Sequence, residues 1–327
     1  MVKVAVIGTG HLGKIHTKLW QTNPNAELVG IYDADNNRAK EISEEFNCRA
    51  FDSLDETLEN TDAVTIAVPT SLHYDIALKC IDKGVHCFIE KPITTTSLEA
   101  KELIAKAKEK NVLIQVGHVE RFNPALAFLK KMKLNPMFIE AHRLAQFKPR
   151  ATDVSVILDL MIHDIDIMLW LIKSEVESID ANGVAVITDT HDICNARIKF
   201  KNGAVANLTA SRISAHPMRK MRLFQQNAYI SIDFGLANVE IFRIADINEN
   251  LGASSIPATM LGTIEAGIQD KKIIYQKPEV PEVNAIYEEQ AAFVDAVSNN
   301  SPVAVSAEEA TEALRIAELI IEQLKVS

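Results

Sequence analysis

The sequence predicts an α/β chain: a doubly wound parallel sheet at the amino terminus, then an α+β part built on a mostly antiparallel sheet. Three observations predict this. An apolar run, Val4 to Ile7, ends in the glycine turn Gly8-x-Gly10-x-x-Gly13 and enters a helical segment. Up to Val116, short apolar runs alternate with segments of helical period, as in parallel strands joined by crossover helices. From Ile179 onward, strand-like runs of period two follow one another directly, which is the pattern of antiparallel pairing.

The glycine turn carries the most chemistry. Gly8 allows a tight turn off the first strand, Gly10 lets the backbone approach a pyrophosphate, and Gly13 lets the following helix, Lys14 to Trp20, pack on the strand. The helix start, with His11 and Leu12, offers free N–H groups and a positive dipole end to phosphates. A second strand, Ala26 to Tyr32, ends in Asp33, twenty residues past Gly13. A carboxylate there can hold a ribose 2′-hydroxyl and repels a 2′-phosphate, so NAD is favoured over NADP. Arg38 is near enough in sequence to leave NADP open.

The next elements follow in order. Asn36 to Asn47 reads as a helix, Arg49 to Phe51 as a short strand and Asp55 to Asn60 as a brief helix. Asp62 to Val68 is a near-continuous apolar run of the kind a strand covered on both faces needs. It stops at Pro69-Thr70-Ser71. His73 to Lys83 is helical and closed by Gly84. Val85 to Ile89 is a strand ending in Glu90-Lys91-Pro92. Ser97 to Lys110 is a helix with Ser97 as its expected N-cap, and Val112 to Val116 is a further strand. Ligands of such sheets sit beyond the carboxyl ends of the strands. Gly8, Asp33, Val68-Pro69-Thr70, Glu90-Lys91-Pro92 and Gly117-His118 are therefore expected at one rim.

Lys91, held between a buried strand and a proline, can donate to a ribose hydroxyl and to a substrate oxygen; position alone fits a surface lysine equally well. Pro92 is a candidate for a cis bond, since tight turns are where cis-proline occurs.

Beyond Arg121 the pattern changes. Asn123 to Lys133 reads as a helix and Met137 to Phe147 as a half-exposed strand. Val156 to Leu171 reads as one very apolar helix. Asp159 and His163, at i and i+4, share a face of it. An acid and an imidazole in apolar surroundings need a partner or a purpose, and mutual hydrogen bonding would satisfy both. Asp164 lies off that face and is expected to cap or to face solvent. Ile179 to Thr188, Asp192 to Lys201 and Ala204 to Ser211 are strands, with a hairpin turn at Asn202-Gly203. Met221 to Asn227 and Ala228 to Phe234 form another hairpin. Residues 248–267 lack pattern and read as a loop. Asn284 to Val297 and Ala307 to Lys325 are amphipathic helices, the last capped by Ser306. The boundary falls at residue 122, giving a dinucleotide-binding domain, 1–122, and a second domain, 123–327.

The bulk numbers bound the function class. The chain has 327 residues, 47% apolar and 24% charged, as in globular proteins. Its formal charge of −10 argues against non-specific nucleic-acid binding, which needs a basic face. Cys48, Cys80, Cys87 and Cys194 have no zinc-site spacing and read as reduced thiols, and no metal site is expected. A strand beginning at Val2 leaves no room for a signal peptide, and no apolar run reaches the roughly 18 residues of a membrane span. A cytoplasmic protein without membrane contact is expected.

These residues together resemble the glucose–fructose oxidoreductase / inositol dehydrogenase (Gfo/Idh/MocA) family from end to end. The resemblance rests on the glycine turn with His16 after it, Ala67-Val-Pro-Thr-x-x-His73, Glu90-Lys91-Pro92, Arg121-Phe-Asn-Pro124, and Asp159 with His163. It implies a Rossmann domain followed by a domain with a large open sheet, often the assembly face of a homodimer or homotetramer. It also implies a Lys91–Asp159–His163 set at the nicotinamide, with Val68, Pro69, Thr70, His73, Glu90 and Lys91 near the cofactor. One departure is Ser155-Val-Ile-Leu158, where many members carry a glycine pair. Asp159 to Asp166 and Gly117 to Pro124 look most like the UDP-N-acetylglucosamine 3-dehydrogenase branch.

The function this implies is reversible oxidation of a secondary hydroxyl on a sugar or nucleotide sugar. His163 would take the hydroxyl proton, as a neutral imidazole is suited to do. Lys91 would steady the developing alkoxide, and Asp159 would orient the imidazole or bind a neighbouring hydroxyl. His118, Arg121, Asn123 and Arg143 could line the substrate side. Arg143, Lys148 and Arg150 are candidates for a diphosphate, with solvated surface charge as their plain alternative. An NAD-dependent glycoside hydrolase with transient redox, and a non-catalytic NAD-binding sensor, are the rival readings.

Overall fold

The computed structural model describes residues 1–130, 132–147, 154–246, 248, 258–266 and 269–324. Lys148, Arg150 and most of 248–257 lie outside the described residues. Contacts divide the chain into two compact units: Met1–Phe122 with Asn284–Glu318, and Asn123–Val283 with Leu319–Ser327. No helix among the described residues is long and apolar enough to cross a membrane.

The first unit is built on five parallel strands: β1 (Val2–Ile7), β2 (Ala26–Tyr32), β3 (Ala63–Ile66), β4 (His86–Glu90) and β5 (Ile114–Gly117). Their spatial order is β2-β1-β3-β4-β5. Helices α1 (His11–Trp20), α2 (Asn36–Phe46), α3 (Leu54–Glu59), α4 (His73–Asp82) and α5 (Ser97–Lys110) connect or flank them. Val4, Ala5, Val6, Ile7, Val64, Ile66, Phe88 and Ile89 are at most 1% exposed, because a sheet covered on both faces leaves no strand position for water. The order reverses between β1 and β3, and a ligand crevice opens at such a switch point.

Local chemistry sets the element ends. Asp35 caps α2 by accepting from the amides of Asn37 and Arg38. The cap of α5 is Thr96 rather than Ser97: Thr96 and Glu99 form a reciprocal capping box, and Ser97 is the first helical residue. The stretch Arg49–Phe51 contributes one bridge, Ala50 to Ile31, and no full strand.

The segment Asn284–Glu318 packs into this first unit, whereas a break at residue 122 alone would assign it elsewhere. Its helix α8 (Ala285–Asn299) buries Phe293 and Val294 in the core of Val4, Val6, Trp20, Ile31 and Phe88. Each such apolar side chain contributes about 1.5–3 kcal/mol. The amide of Gln115 on β5 donates to Glu289 O and accepts from Ala304 N, tying the strand to α8 and to the segment that follows it. A last helix, α9, spans Ala307–Leu324.

The second unit holds α6 (Pro124–Leu129), β6 (Phe138–Leu144), α7 (Ile162–Ile172), β7 (Val176–Val184), β8 (Ile193–Phe200), β9 (Val205–Ser211), β10 (Met218–Gln225), β11 (Ala228–Asp233), β12 (Asn238–Asp246), β13 (Ala258–Ala266) and β14 (Gln269–Gln276). The order is β13-β14-β12-β11-β10-β6-β9-β8-β7, antiparallel except for β6 beside β9. Along β6 and β8 alternate residues are buried, so one face packs inward and the other is open. The helix expected over 123–133 is only α6, capped by Asn123 and started by Pro124. Part of the patternless 248–267 is strand β13, paired with β14. The single apolar helix expected over 156–171 is a π turn, Ile157–Met161, running into α7.

Candidate active site

In the first unit the strand ends gather the expected residues at one rim. Gly8 has φ +86°. A Cβ there would also lie 2.7 Å from Val68 Cγ1 and 2.9 Å from the Ala67 carbonyl, so the β1 and β3 loops meet on bare backbone. A Cβ on Gly13 would fall 1.8 Å from Gly8 O, which seats α1 directly on the turn. Gly10 differs: nothing lies within 4 Å of its would-be Cβ. The protein's own packing does not require glycine there, whereas close approach by a phosphate does. No side chain caps α1 and no acid sits in its first turn. Exposed His11 and Leu12 occupy that turn, leaving its amides to an anion.

Asp33 closes this cradle from β2. Its Oδ2 accepts from the Thr9 amide at 2.7 Å and the Thr9 hydroxyl at 2.8 Å, and its Oδ1 accepts from the Asp35 amide at 2.9 Å. Burial raises the carboxyl's pKa, but the bonds from Thr9 and Asp35 and the charge of Arg38 outweigh it and hold it below the ordinary value. Asp33 is thus an anion whose Oδ1 keeps a spare lone pair for a sugar hydroxyl. The open Gly10, the uncapped helix start and this carboxylate fit an NAD-type dinucleotide.

After β3, Pro69 leads into a 3-10 turn, Thr70–Leu72, and then α4. His73, the first residue of α4, is buried. Its Nδ1 lies 2.9 Å from Pro92 O and its Nε2 3.0 Å from Val68 O, so the ring staples the β3 loop to the β4 loop. Burial pushes this imidazole's pKa down, although the two carbonyls and Glu90 pull it up. At the end of β4 the Lys91–Pro92 bond is cis, as the tight turn suggested.

Glu90 accepts from His16 Nε2 at 2.8 Å through Oε1 and from the Lys91 amide at 3.3 Å through Oε2. Burial raises the pKa of its carboxyl, yet the His16 hydrogen bond, the charge of Lys91 and the Lys91 amide bring it below its ordinary value. Gln290 of α8 completes the group by donating to His16 Nδ1 at 2.9 Å. Sequence reasoning misses Gln290, because it is 274 residues from its partner and sits in an unremarkable amphipathic helix.

Two expected substrate residues are engaged inside their units. Arg121 is buried and donates to Glu309 at 2.9 Å. Asn123 caps α6 through Oδ1 and donates to Phe234 O at 3.2 Å. His118, after β5, is fully buried.

In the second unit Asp159 sits in the π turn and His163 is the second residue of α7, both half-buried. Asp159 thus lies in a turn whose hydrogen bonds span five residues, and His163 in the α-helix that follows it. Asp164 faces inward rather than solvent. It is 3% exposed and accepts two bonds from Arg143, Nε to Oδ2 and Nη2 to Oδ1. That pairing occupies the guanidinium fork expected to greet a diphosphate.

The comparisons with known proteins agree with this picture. Residues 2–118 match the family model of the Gfo/Idh/MocA oxidoreductases with an NAD-binding Rossmann fold, and residues 135–231 match the family's C-terminal domain. The chain is 38% identical over 303 residues to UDP-N-acetylglucosamine 3-dehydrogenase of Acidithiobacillus ferrooxidans, covering 92% of this chain and 90% of that one. A solved structure of that enzyme superposes with a TM-score of 0.88 at 34% identity, over 99% of this chain and 98% of the other. The scyllo-inositol 2-dehydrogenase (NAD(+)) of Bacillus subtilis is 32% identical over 66% of this chain and 68% of its own. Levoglucosan dehydrogenase in complex with NADH and levoglucosan, at 17% identity and a TM-score of 0.83 over 99% of this chain and 97% of its own, shares the fold. With its glycine cradle, its Asp33 carboxylate and this full-length likeness, the chain belongs to the Gfo/Idh/MocA family of oxidoreductases, with the NAD-binding Rossmann fold.

Proposed function

We propose that the protein is an NAD-dependent dehydrogenase that oxidises a secondary hydroxyl of a nucleotide sugar of the UDP-N-acetylglucosamine type. The observation that carries this is the 38% identity to a UDP-N-acetylglucosamine 3-dehydrogenase across 92% of the chain. Gly8, Gly10, His11, Leu12, Gly13 and Asp33 would hold the dinucleotide, with Val68, Pro69 and Thr70 beside it. The bound nicotinamide supplies the acceptor for the carbinol hydrogen. His163 takes the hydroxyl proton, a task that suits a half-buried imidazole near neutral pH. Lys91 stabilises the alkoxide as charge develops on oxygen. Asp159 orients His163 or binds an adjacent hydroxyl. Arg143, committed to Asp164, positions α7 instead of binding phosphate.

We further place the enzyme in the cytoplasm, as four free thiols suit a reducing compartment. We also assign it a homo-oligomer assembled on the open sheet face. The support there is a row of touching rings across that face: Phe138, Phe224, Tyr229, Phe242 and Tyr275, with successive centroids 4.9–5.7 Å apart.

The test is the NADH absorbance band on adding UDP-N-acetylglucosamine, with scyllo-inositol as the control. Growth of the band with the nucleotide sugar alone is expected. Lys91→Met and His163→Ala should each lower kcat by about 10² or more while NAD affinity changes little. Reduction by the inositol alone, or near wild-type turnover in both variants, overturns the proposal.

A further inference from the structure

The atoms around His16 fix where its proton lies. The Gln290 side-chain atom at 2.9 Å from His16 Nδ1 is also 3.2 Å from the His16 backbone carbonyl. A carbonyl oxygen can only accept, so that atom is the amide nitrogen. One nitrogen donating to both makes Nδ1 an acceptor. The ring proton is therefore on Nε2, pointing at Glu90 Oε1, 2.8 Å away.

Everything around the carboxylate supports this arrangement. His16 is fully buried and its ring stands edge-on to Phe88, centroids 5.2 Å apart. Phe88 meets Phe293 in the same manner at 5.8 Å. Phe293 lies one helical turn from Gln290, so the apolar docking of α8 delivers the amide. On the far side, a Cβ on Gly117 would sit 3.1–3.2 Å from the Glu90 carboxyl atoms, so the bare glycine leaves the carboxylate its place. The second carboxylate oxygen accepts from the Lys91 amide. Both oxygens thus receive donors, which favours the anion.

We propose that Gln290 and His16 are positioning residues for Lys91: the amide locks the imidazole tautomer, the imidazole holds Glu90 as an aimed anion, and Glu90 holds Lys91 in place at the end of β4. This rests on the role given to Lys91 above, but the first two links stand without it. They make a helix from the far end of the chain part of the Lys91 turn's support. No bond is made or broken in the relay; each group only orients the next.

The test uses the full chain in three readings. The ¹⁵N resonances of its histidines, with His16 assigned by their loss in His16→Gln, report the tautomer. The Nε2–H form is expected in the wild type and a loss of that fixed form in Gln290→Leu, with Gln290→Met as the closer-shaped variant should leucine not fold. Labelling of Lys91 by limiting acetic anhydride, read by mass spectrometry against the other lysines, should rise in Gln290→Leu and in Glu90→Gln, because the Lys91 backbone is no longer held by a fixed anion. Turnover, where the nucleotide sugar is a substrate, should fall through kcat, with the KM for NAD little changed. An Nδ1–H signature in the wild type overturns the network. An unchanged Lys91 labelling pattern in both variants, whatever happens to the melting temperature, reduces Gln290 to a packing residue. Failure of the substrate assignment would leave the tautomer and labelling results intact, so the two failures are distinguishable.

Discussion

Arg143 of β6 and Asp164 of α7 meet in a two-pronged ion pair, both bonds 2.9 Å long, with side chains only 5% and 4% exposed. The pair pins the start of α7, one residue past His163, to the middle of the large sheet. Two charges out of water depend on each other: losing one strands the other. Asp164→Ala should cost about 3–5 kcal/mol, whereas Arg143→Met with Asp164→Leu should cost far less, since a well-packed apolar replacement removes both desolvation penalties. Melting temperatures of the three proteins check this. Turnover of Asp164→Ala should fall as well, because the helix start carrying His163 loses its anchor.

Asp33 has two duties, and they separate by mutation. It accepts from Thr9 and so fixes the glycine turn, and in the proposed NAD site its charge would repel a 2′-phosphate. Asp33→Ser should weaken NAD binding about tenfold or more, from the loss of a charged hydrogen bond worth about 1.5–3 kcal/mol. NADP binding should improve, with Arg38 nearby to receive the phosphate. Titration with each cofactor measures the ratio; an unchanged preference for NAD would remove Asp33 from the discriminating role.

Asp192 predicts an acid limb of stability. Its carboxylate accepts from the amides of Val186, Ile187 and Thr188 and from the Thr188 hydroxyl. Burial raises its pKa, but these four bonds win and bring it to about 2. A depressed folded value stabilises the fold above the unfolded pKa of about 3.9, and that contribution is lost as pH falls toward about 2. Denaturant melts between pH 5 and 2 should show this loss in the wild type and a shallower slope in Asp192→Asn.

The ring row on the open sheet makes a further prediction. Phe242 touches both Tyr229 and Tyr275. If a second copy covers this face, Phe242→Asp places a carboxylate in a dry interface, at a cost of several kcal/mol. Sedimentation should then show a smaller species for the variant than for the wild type, with unchanged far-UV circular dichroism.

The glycine turn, Asp33 and the Glu90-Lys91-Pro92 corner were legible because each belongs to a local pattern. A strand of period two or an apolar run followed by a special turn needs only a few neighbours to be recognised. Strands β12 and β14 and the strand in 258–266 were not, since charged and apolar residues mix there and neighbouring strands decide the pairing. The π turn at Ile157–Met161 was invisible for a related reason: helical periodicity cannot distinguish four residues of hydrogen-bond span from five.

Residue order by itself determined that a parallel sheet comes first and where a dinucleotide would lie, because those facts ride on spacing along the backbone. Only the tertiary structure decided that Asp164 turns inward to Arg143, that Arg121 is held by Glu309, and that Gln290 reaches His16. Such pairings depend on which helix face fills which gap in a core, and a core brings together residues that no stretch of sequence lists side by side.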